Sequence, residues 1–254
     1  VVCEMGGKNA LIIDVSADLD EAVLGARYSA FGFQGQKCSA CSRLVVVDPD
    51  GPDGEHTRQF LERFVGATSA LVVADPMRPG TDVGPVIDDE AAEKIRHFIE
   101  RGRAECRLEL AMDGPAQVGE DVRPRSYIGP HIFSHVERHH DIARHEIFGP
   151  VVAVMHARTF DEALDIANDH PYKLTGGVFT RKPAHIERAK REFRVGNLYV
   201  NRGITGALVA RQPFGGFGMS GVGSKAGGAD YLLQFVEPRA SCENTMRRGF
   251  APEL

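Results

Sequence analysis

Runs rich in branched apolar residues alternate along this chain with stretches of helical period, and that alternation narrows the fold more than any other feature. "ALIIDV" at 10–15 precedes a helix-period stretch over 18–30, and "RLVVVD" at 43–48 precedes another over 55–70. A third helix over 88–101 sets Ile95, Phe98 and Ile99 on one face against Glu93, Lys94 and Arg96 on the other. Strands recur near 127–133, 151–156, 176–180 and 196–201, with helices near 160–168 and 184–193 between them. Crossovers of that length return each strand parallel to the last. The pattern therefore predicts an α/β fold, a mostly parallel twisted sheet with helices on both faces. Asp18, with Glu21 three residues on, marks the start of the first helix as a capping box.

A chain of 254 residues can bury a sizeable core without covalent staples. Lys plus Arg total 30 against 35 for Asp plus Glu, and no long run of one sign occurs. That balance points to a small soluble molecule as partner, with no nucleic acid. Apolar runs such as "LVVV" at 44–47 fall far short of the roughly 18 residues that a membrane span needs, so no membrane partner is expected. Five cysteines, an odd number spread at 3, 38, 41, 106 and 242, suggest a reducing, cytoplasmic setting. The opening "VVCEMGGKN" has neither an initiator Met nor a basic-then-apolar leader.

"GQKCSACSR" places Cys38 and Cys41 three apart among small residues. A structural zinc site needs four ligands, and only one such pair exists; His135, His139, His140 and His145 lie about a hundred residues away, so no metal is expected. A redox pair and a single nucleophile remain open. In the second reading a turn presents the Cys38 thiol beside free backbone N–H groups, whose dipoles and a helix field lower its pKa and hold an oxyanion. Cys41, one helical turn on, is then a bystander. A thiol that carries an acyl group needs a base to activate water. Glu4 in "EMGGKN" is a candidate, with Gly6 and Gly7 permitting a tight turn beside it. "GFGMSG" at 216–221 fits the glycine spacing of a dinucleotide loop, but no strand precedes it and it reads as a loop. "EIFGPVVAV" at 146–154 reads as a turn in which Pro150 feeds a strand.

In order and spacing, "EMGGKN", "FGFQGQKC", "EIFGP" and "QPFGGFGMSG" resemble the successive signatures of the aldehyde dehydrogenase superfamily, over essentially the whole chain. "GQKCSACSR", "NRGITGALVARQPFGG" and "ENTMRRGFAP" resemble its L-glutamate γ-semialdehyde (1-pyrroline-5-carboxylate) branch. The resemblance implies an NAD-dependent enzyme in which Cys38 attacks the aldehyde and Glu4 activates the hydrolytic water. It implies that Glu146 and Phe148 hold the nicotinamide end of NAD, and that the Cys38 N–H forms half of an oxyanion hole. Phe33, Ser39, Gly206, Ala207 and Phe214 become the substrate contacts, with Ser39 and the Gly206–Ala207 backbone anchoring the amino-acid end. Residues 1–225 correspond to the catalytic domain, and 226–254 to a C-terminal helix, an oligomerisation strand and a tail. The family's N-terminal NAD-binding domain is absent from this chain. The strand in "LLQFVEPRA" implies a homo-oligomer. Two other readings stand beside this one: an aldehyde dehydrogenase for another semialdehyde, and a non-catalytic assembly module.

Overall fold

The computed structural model describes residues 1–115 and 126–246; positions 247–254 of the expected tail lie outside the described residues. The two-residue strand β1 (Cys3–Glu4) leads to β2 (Asn9–Ile13), α1 (Leu19–Phe31) and β3 (Cys41–Val47). Next come α2 (Glu55–Ser69), α3 (Asp89–Glu105), β4 (Arg107–Ala111), β5 (His131–Ser134), α4 (Asp141–Arg144) and β6 (Val151–Ala157). The chain continues through α5 (Phe160–Asn168), β7 (Tyr172–Lys173), β8 (Thr175–Phe179), α6 (Pro183–Glu192) and β9 (Asn197–Val200). The short strands β10 (Phe217–Gly218) and β11 (Gly221–Val222) follow.

Seven strands form the main sheet in the order β4-β5-β6-β3-β2-β8-β9, parallel throughout except for β4 against β5. The expected α/β class is therefore observed. Strand period two divides the apolar residues between two faces. Leu11, Ile13, Leu44, Val46, Val152 and Val154 pack with α1 and α2, whose Phe31, Phe60 and Phe64 stack at 6.0 and 5.6 Å. Ala10, Ile12, Val45, Val47, Ala153 and Met155 pack on the other face with residues of α3, α5 and α6. Each buried Leu, Ile or Phe of these layers contributes about 1.5–3 kcal/mol. Asp18 caps α1 as expected, its side chain accepting from the N–H groups of Asp20 and Glu21.

The C-terminal segment is where a helix and an oligomerisation strand are expected. Tyr231–Phe235 forms a 3-10 helix, and no strand follows it among the described residues. A strand exists only with a ladder partner, and among the described residues no strand pairs with this segment.

The parallel arrangement fixes where the motifs meet. Glu4 to Lys8 precede β2, Cys38 precedes β3, Glu146 to Pro150 precede β6, and Leu174 precedes β8. These four strands are neighbours, so all four segments gather at the amino ends of the sheet. Ligand crevices of open α/β sheets more often lie at the carboxyl ends.

Candidate active site

Cys38 sits in a turn between the 3-10 helix Gly32–Gly35 and β3, closed by the Ala40 N–H donating to the Lys37 carbonyl at 3.0 Å. The buried Asn9 side chain fixes that turn from below. Its Nδ2 donates to the carbonyls of Cys38 at 2.7 Å and Ala40 at 2.8 Å, and its Oδ1 accepts from the Thr175 N–H at 3.0 Å. Glu4 is exposed at the end of β1, which pairs antiparallel with β11 through Glu4 and Gly221. The Tyr231 hydroxyl stands 3.5 Å from Glu4 Oε1. Glu146 is half-buried, and its Oε1 accepts from the Gly7 N–H at 2.8 Å.

A cleft of about 350 Å³ brings Glu4, Cys38, Glu146, Phe148 and Phe214 together, with Leu174 and Ser220 in its wall. The other expected contacts lie outside that lining. Phe33 is 66 % exposed, its ring 5.9 Å from the Lys37 ammonium. Ser39 is buried, and its carbonyl faces the Thr175 hydroxyl at 3.4 Å. Gly206 is exposed in a left-handed conformation (φ 79°), and Ala207 is half-buried beside it.

Three expectations are corrected here. No helix begins at Cys38, so no helix field acts on its thiol. Its pKa is raised instead: burial is the largest cause, opposed by the Ser39 N–H and reinforced by the charges of Glu146 and Glu4. Cys41 opens β3 and does not lie one helical turn on; burial pushes its thiol up to about 12, and its Sγ contacts the Arg43 carbonyl at 3.4 Å. Gly6 and Gly7 make no left-handed turn. They permit close approach: a Cβ on Gly6 would overlap the Glu146 carboxylate, and one on Gly7 would lie 2.6 Å from Asn9 Oδ1 and 3.0 Å from the Cys38 carbonyl.

Among the described residues, no group of three or more His, Cys, Asp or Glu side chains could hold a metal ion. His140 instead meets the Cys106 thiol at 3.2 Å, and His139 meets Glu137 at 3.3 Å. The cleft does fit the nicotinamide end of a dinucleotide. Glu146 Oε2 lies outside the Gly7 hydrogen bond and could accept from a ribose hydroxyl, and Phe148 offers an apolar ring that is 39 % exposed. Phe148 is held at φ 60°, a backbone strain of about 1–3 kcal/mol of the kind that gathers at ligand sites.

Asn9 and Ser220 were missed as functional candidates, although both lie inside quoted motifs, "EMGGKN" and "GFGMSG". Only the fold shows what their side chains reach.

A model of the aldehyde dehydrogenase family matches residues 1–240. The chain belongs to the aldehyde dehydrogenase family. Among curated family members, it is 49 % identical over 243 residues to 1-pyrroline-5-carboxylate dehydrogenase of Geobacillus kaustophilus and 46 % identical to that of Bacillus subtilis. Each alignment covers 96 % of this chain and 45 % of the relative, so this aldehyde dehydrogenase chain spans about half the length of those proteins. Proline utilization A from Bdellovibrio bacteriovorus, inactivated by N-propargylglycine, superposes with a TM-score of 0.90 at 51 % identity, covering 99 % of this chain and 25 % of that one. Thermus 1-pyrroline-5-carboxylate dehydrogenase with bound NAD gives 0.83 at 47 % identity, covering 93 % of this chain and 43 % of that one. No described helix is long and apolar enough to cross a membrane.

Proposed function

We propose that this chain is the catalytic portion of an NAD-dependent dehydrogenase that oxidises L-glutamate γ-semialdehyde to L-glutamate. The observation that carries the reading is the single cleft shared by Cys38, Glu4, Glu146 and Phe148. The relatives named 1-pyrroline-5-carboxylate dehydrogenase support the substrate. Cys38 is the nucleophile: its sulfur adds to the aldehyde carbon, and the Cys38 N–H stabilises the resulting oxyanion. NAD, when bound, supplies the hydride acceptor that oxidises the thiohemiacetal to a thioester. Glu146 would accept from a ribose hydroxyl of that cofactor, and Phe148 would flank its nicotinamide end. Glu4 takes a proton from water, whose oxygen attacks the thioester carbon; the C–S bond breaks and the acid is released. Because the thiol pKa is raised in this structure, a bound cofactor's positive nicotinamide would favour the thiolate by simple Coulomb attraction.

In the natural full-length protein, Cys38→Ser should abolish NADH formation from glutamate semialdehyde while NAD binding persists. Retained turnover in that variant would refute the assignment. The chain of 254 residues by itself should form little NADH, since it spans under half of its relatives.

The position of Gly206 and Ala207 outside the cleft lining favours a second reading, a family member acting on another semialdehyde. Ala207→Pro, which removes the proposed anchoring N–H, decides between them. Glutamate semialdehyde oxidation should fall far more than oxidation of an uncharged short aldehyde, and equal losses favour the second reading. The C-terminal segment and an assembly role belong to the same proposal: a homo-oligomer forms if Leu232–Val236 pairs with a partner's sheet edge.

A further inference from the structure

Glu4 stands exposed at the end of a two-residue strand, yet the backbone beyond it is clamped by one side chain that the reading above leaves unused. Ser220 is fully buried. Its hydroxyl donates to the Gly6 carbonyl at 2.7 Å and accepts from the Lys173 N–H at 2.9 Å, while its own carbonyl accepts from the Met5 N–H at 3.0 Å. Its neighbour Gly221 pairs with Glu4 itself across β1 and β11. One serine thus ties the residues that follow Glu4 to β7 and to the turn joining β10 and β11. The seat is close: a Cβ on Gly216 would lie 2.6 Å from the Ser220 Cβ.

We infer that Ser220 is a positioning residue for Glu4, fixing the Met5–Gly6 backbone so that the carboxylate faces the acyl group carried on Cys38. The inference rests on the reading of Glu4 as the base for thioester hydrolysis. A base works only within hydrogen-bond reach of its water, and a displacement of about 1 Å costs on the order of 100-fold in rate. Without the hydroxyl, the Gly6 carbonyl and the Lys173 N–H lose their shared partner inside the protein.

Hydrolysis of p-nitrophenyl acetate by the natural full-length protein isolates this step without a cofactor. The Cys38 sulfur attacks the ester carbonyl and nitrophenolate leaves. Water then gives a proton to Glu4 as its oxygen bonds the acetyl carbon, and the thiolate departs from acetate. Ser220→Ala should keep a nitrophenol burst of about one per site at near wild-type rate, with steady-state turnover at least about tenfold slower. Acetylated protein should accumulate by mass spectrometry. Hydroxylamine, a nucleophile that needs no base, should restore turnover. Burst and steady state falling together, or an unchanged steady state, would overturn the inference. Should the alanine variant fail to fold, Ser220→Cys, of similar volume with a weaker donor, is judged by the same criteria. Glu4→Gln separates the two claims. Unimpaired deacylation in Glu4→Gln refutes the base itself, whereas impairment there without impairment in Ser220→Ala refutes Ser220 alone.

Discussion

The Gly7 N–H donates to Glu146 Oε1 at 2.8 Å, so the stretch that carries Glu4 also holds the carboxylate assigned to the cofactor. The six residues from Glu4 to Asn9 therefore join three parts of the proposed site: Glu4 itself, Glu146 through Gly7, and the Cys38 turn through Asn9. Gly6 makes that contact possible by lacking a Cβ. Gly6→Ala pushes aside only the flexible end of Glu146, so stability should change by less than about 1 kcal/mol. NAD affinity of the full-length protein should nevertheless fall at least about tenfold. Calorimetric titration beside a melting curve checks both; a large loss of stability with unchanged affinity would contradict the account.

The raised pKa of Cys38 comes first from burial and then from the charges of Glu146 and Glu4. Removing either negative charge favours the thiolate. The pH profile of Cys38 carbamidomethylation should therefore move to lower pH in Glu146→Gln, and less in Glu4→Gln. A profile that does not move, or moves upward, would show that the carboxylates do not act on the thiol.

Much of the fold was legible because strands buried on both faces read as unbroken branched runs, as in "ALII" and "RLVVV", with amphipathic helices between them. The strand expected in "LLQFVEPRA" does not form among the described residues, because a strand needs a ladder partner and none stands beside Leu232–Val236 there. For the site, Glu4, Cys38, Glu146, Phe148 and Phe214 were recognisable by motif and do share the cleft. Gly6 and Gly7 were read as a local turn, whereas the space they leave is taken by Glu146, about 140 residues on, and by Asn9. Ser220 and Asn9 escaped for the same reason. Their work is hydrogen bonding across the sheet's amino edge, and spacing along the chain does not report it.

Asn9 gives a sharper test of that edge. Its amide holds two carbonyls of the nucleophile turn and one N–H of β8 in a buried place. Asn9→Ala strands all three, each costing about 1–3 kcal/mol when unsatisfied. Asn9→Asp should be worse still, because it turns an acceptor toward the Cys38 and Ala40 carbonyls. Denaturant unfolding should show a loss of several kcal/mol, and the acylation burst with nitrophenyl acetate should slow. A variant as stable as wild type with an unaltered burst would mean that the turn holds itself.

Lys8 carries the last prediction. It is only 1 % exposed, its Nζ has no hydrogen-bond partner among the described residues, and burial, aided by the Arg43 charge, lowers its pKa to about 7. The sign follows from linkage. Between about 7 and its ordinary 10.5, the unfolded chain holds the proton and the folded chain releases it, so this residue's cost to stability shrinks as pH rises. At about 1.4 kcal/mol per pH unit the full cost has a ceiling near 5 kcal/mol, which water penetration reduces. Lys8→Met removes the amine and fills the space with a flexible apolar chain. At pH 7 it should stabilise the protein by about 1–3 kcal/mol, and the gain should fade toward pH 10.5. The buried Cys41 thiol, pushed up to about 12, destabilises the fold above about pH 9 and is itself coupled to the Lys8 charge, so the comparison is read between pH 7 and 9. A gain that stays constant across this range would show that Lys8 keeps its proton, and hence that a partner for its ammonium exists inside the fold.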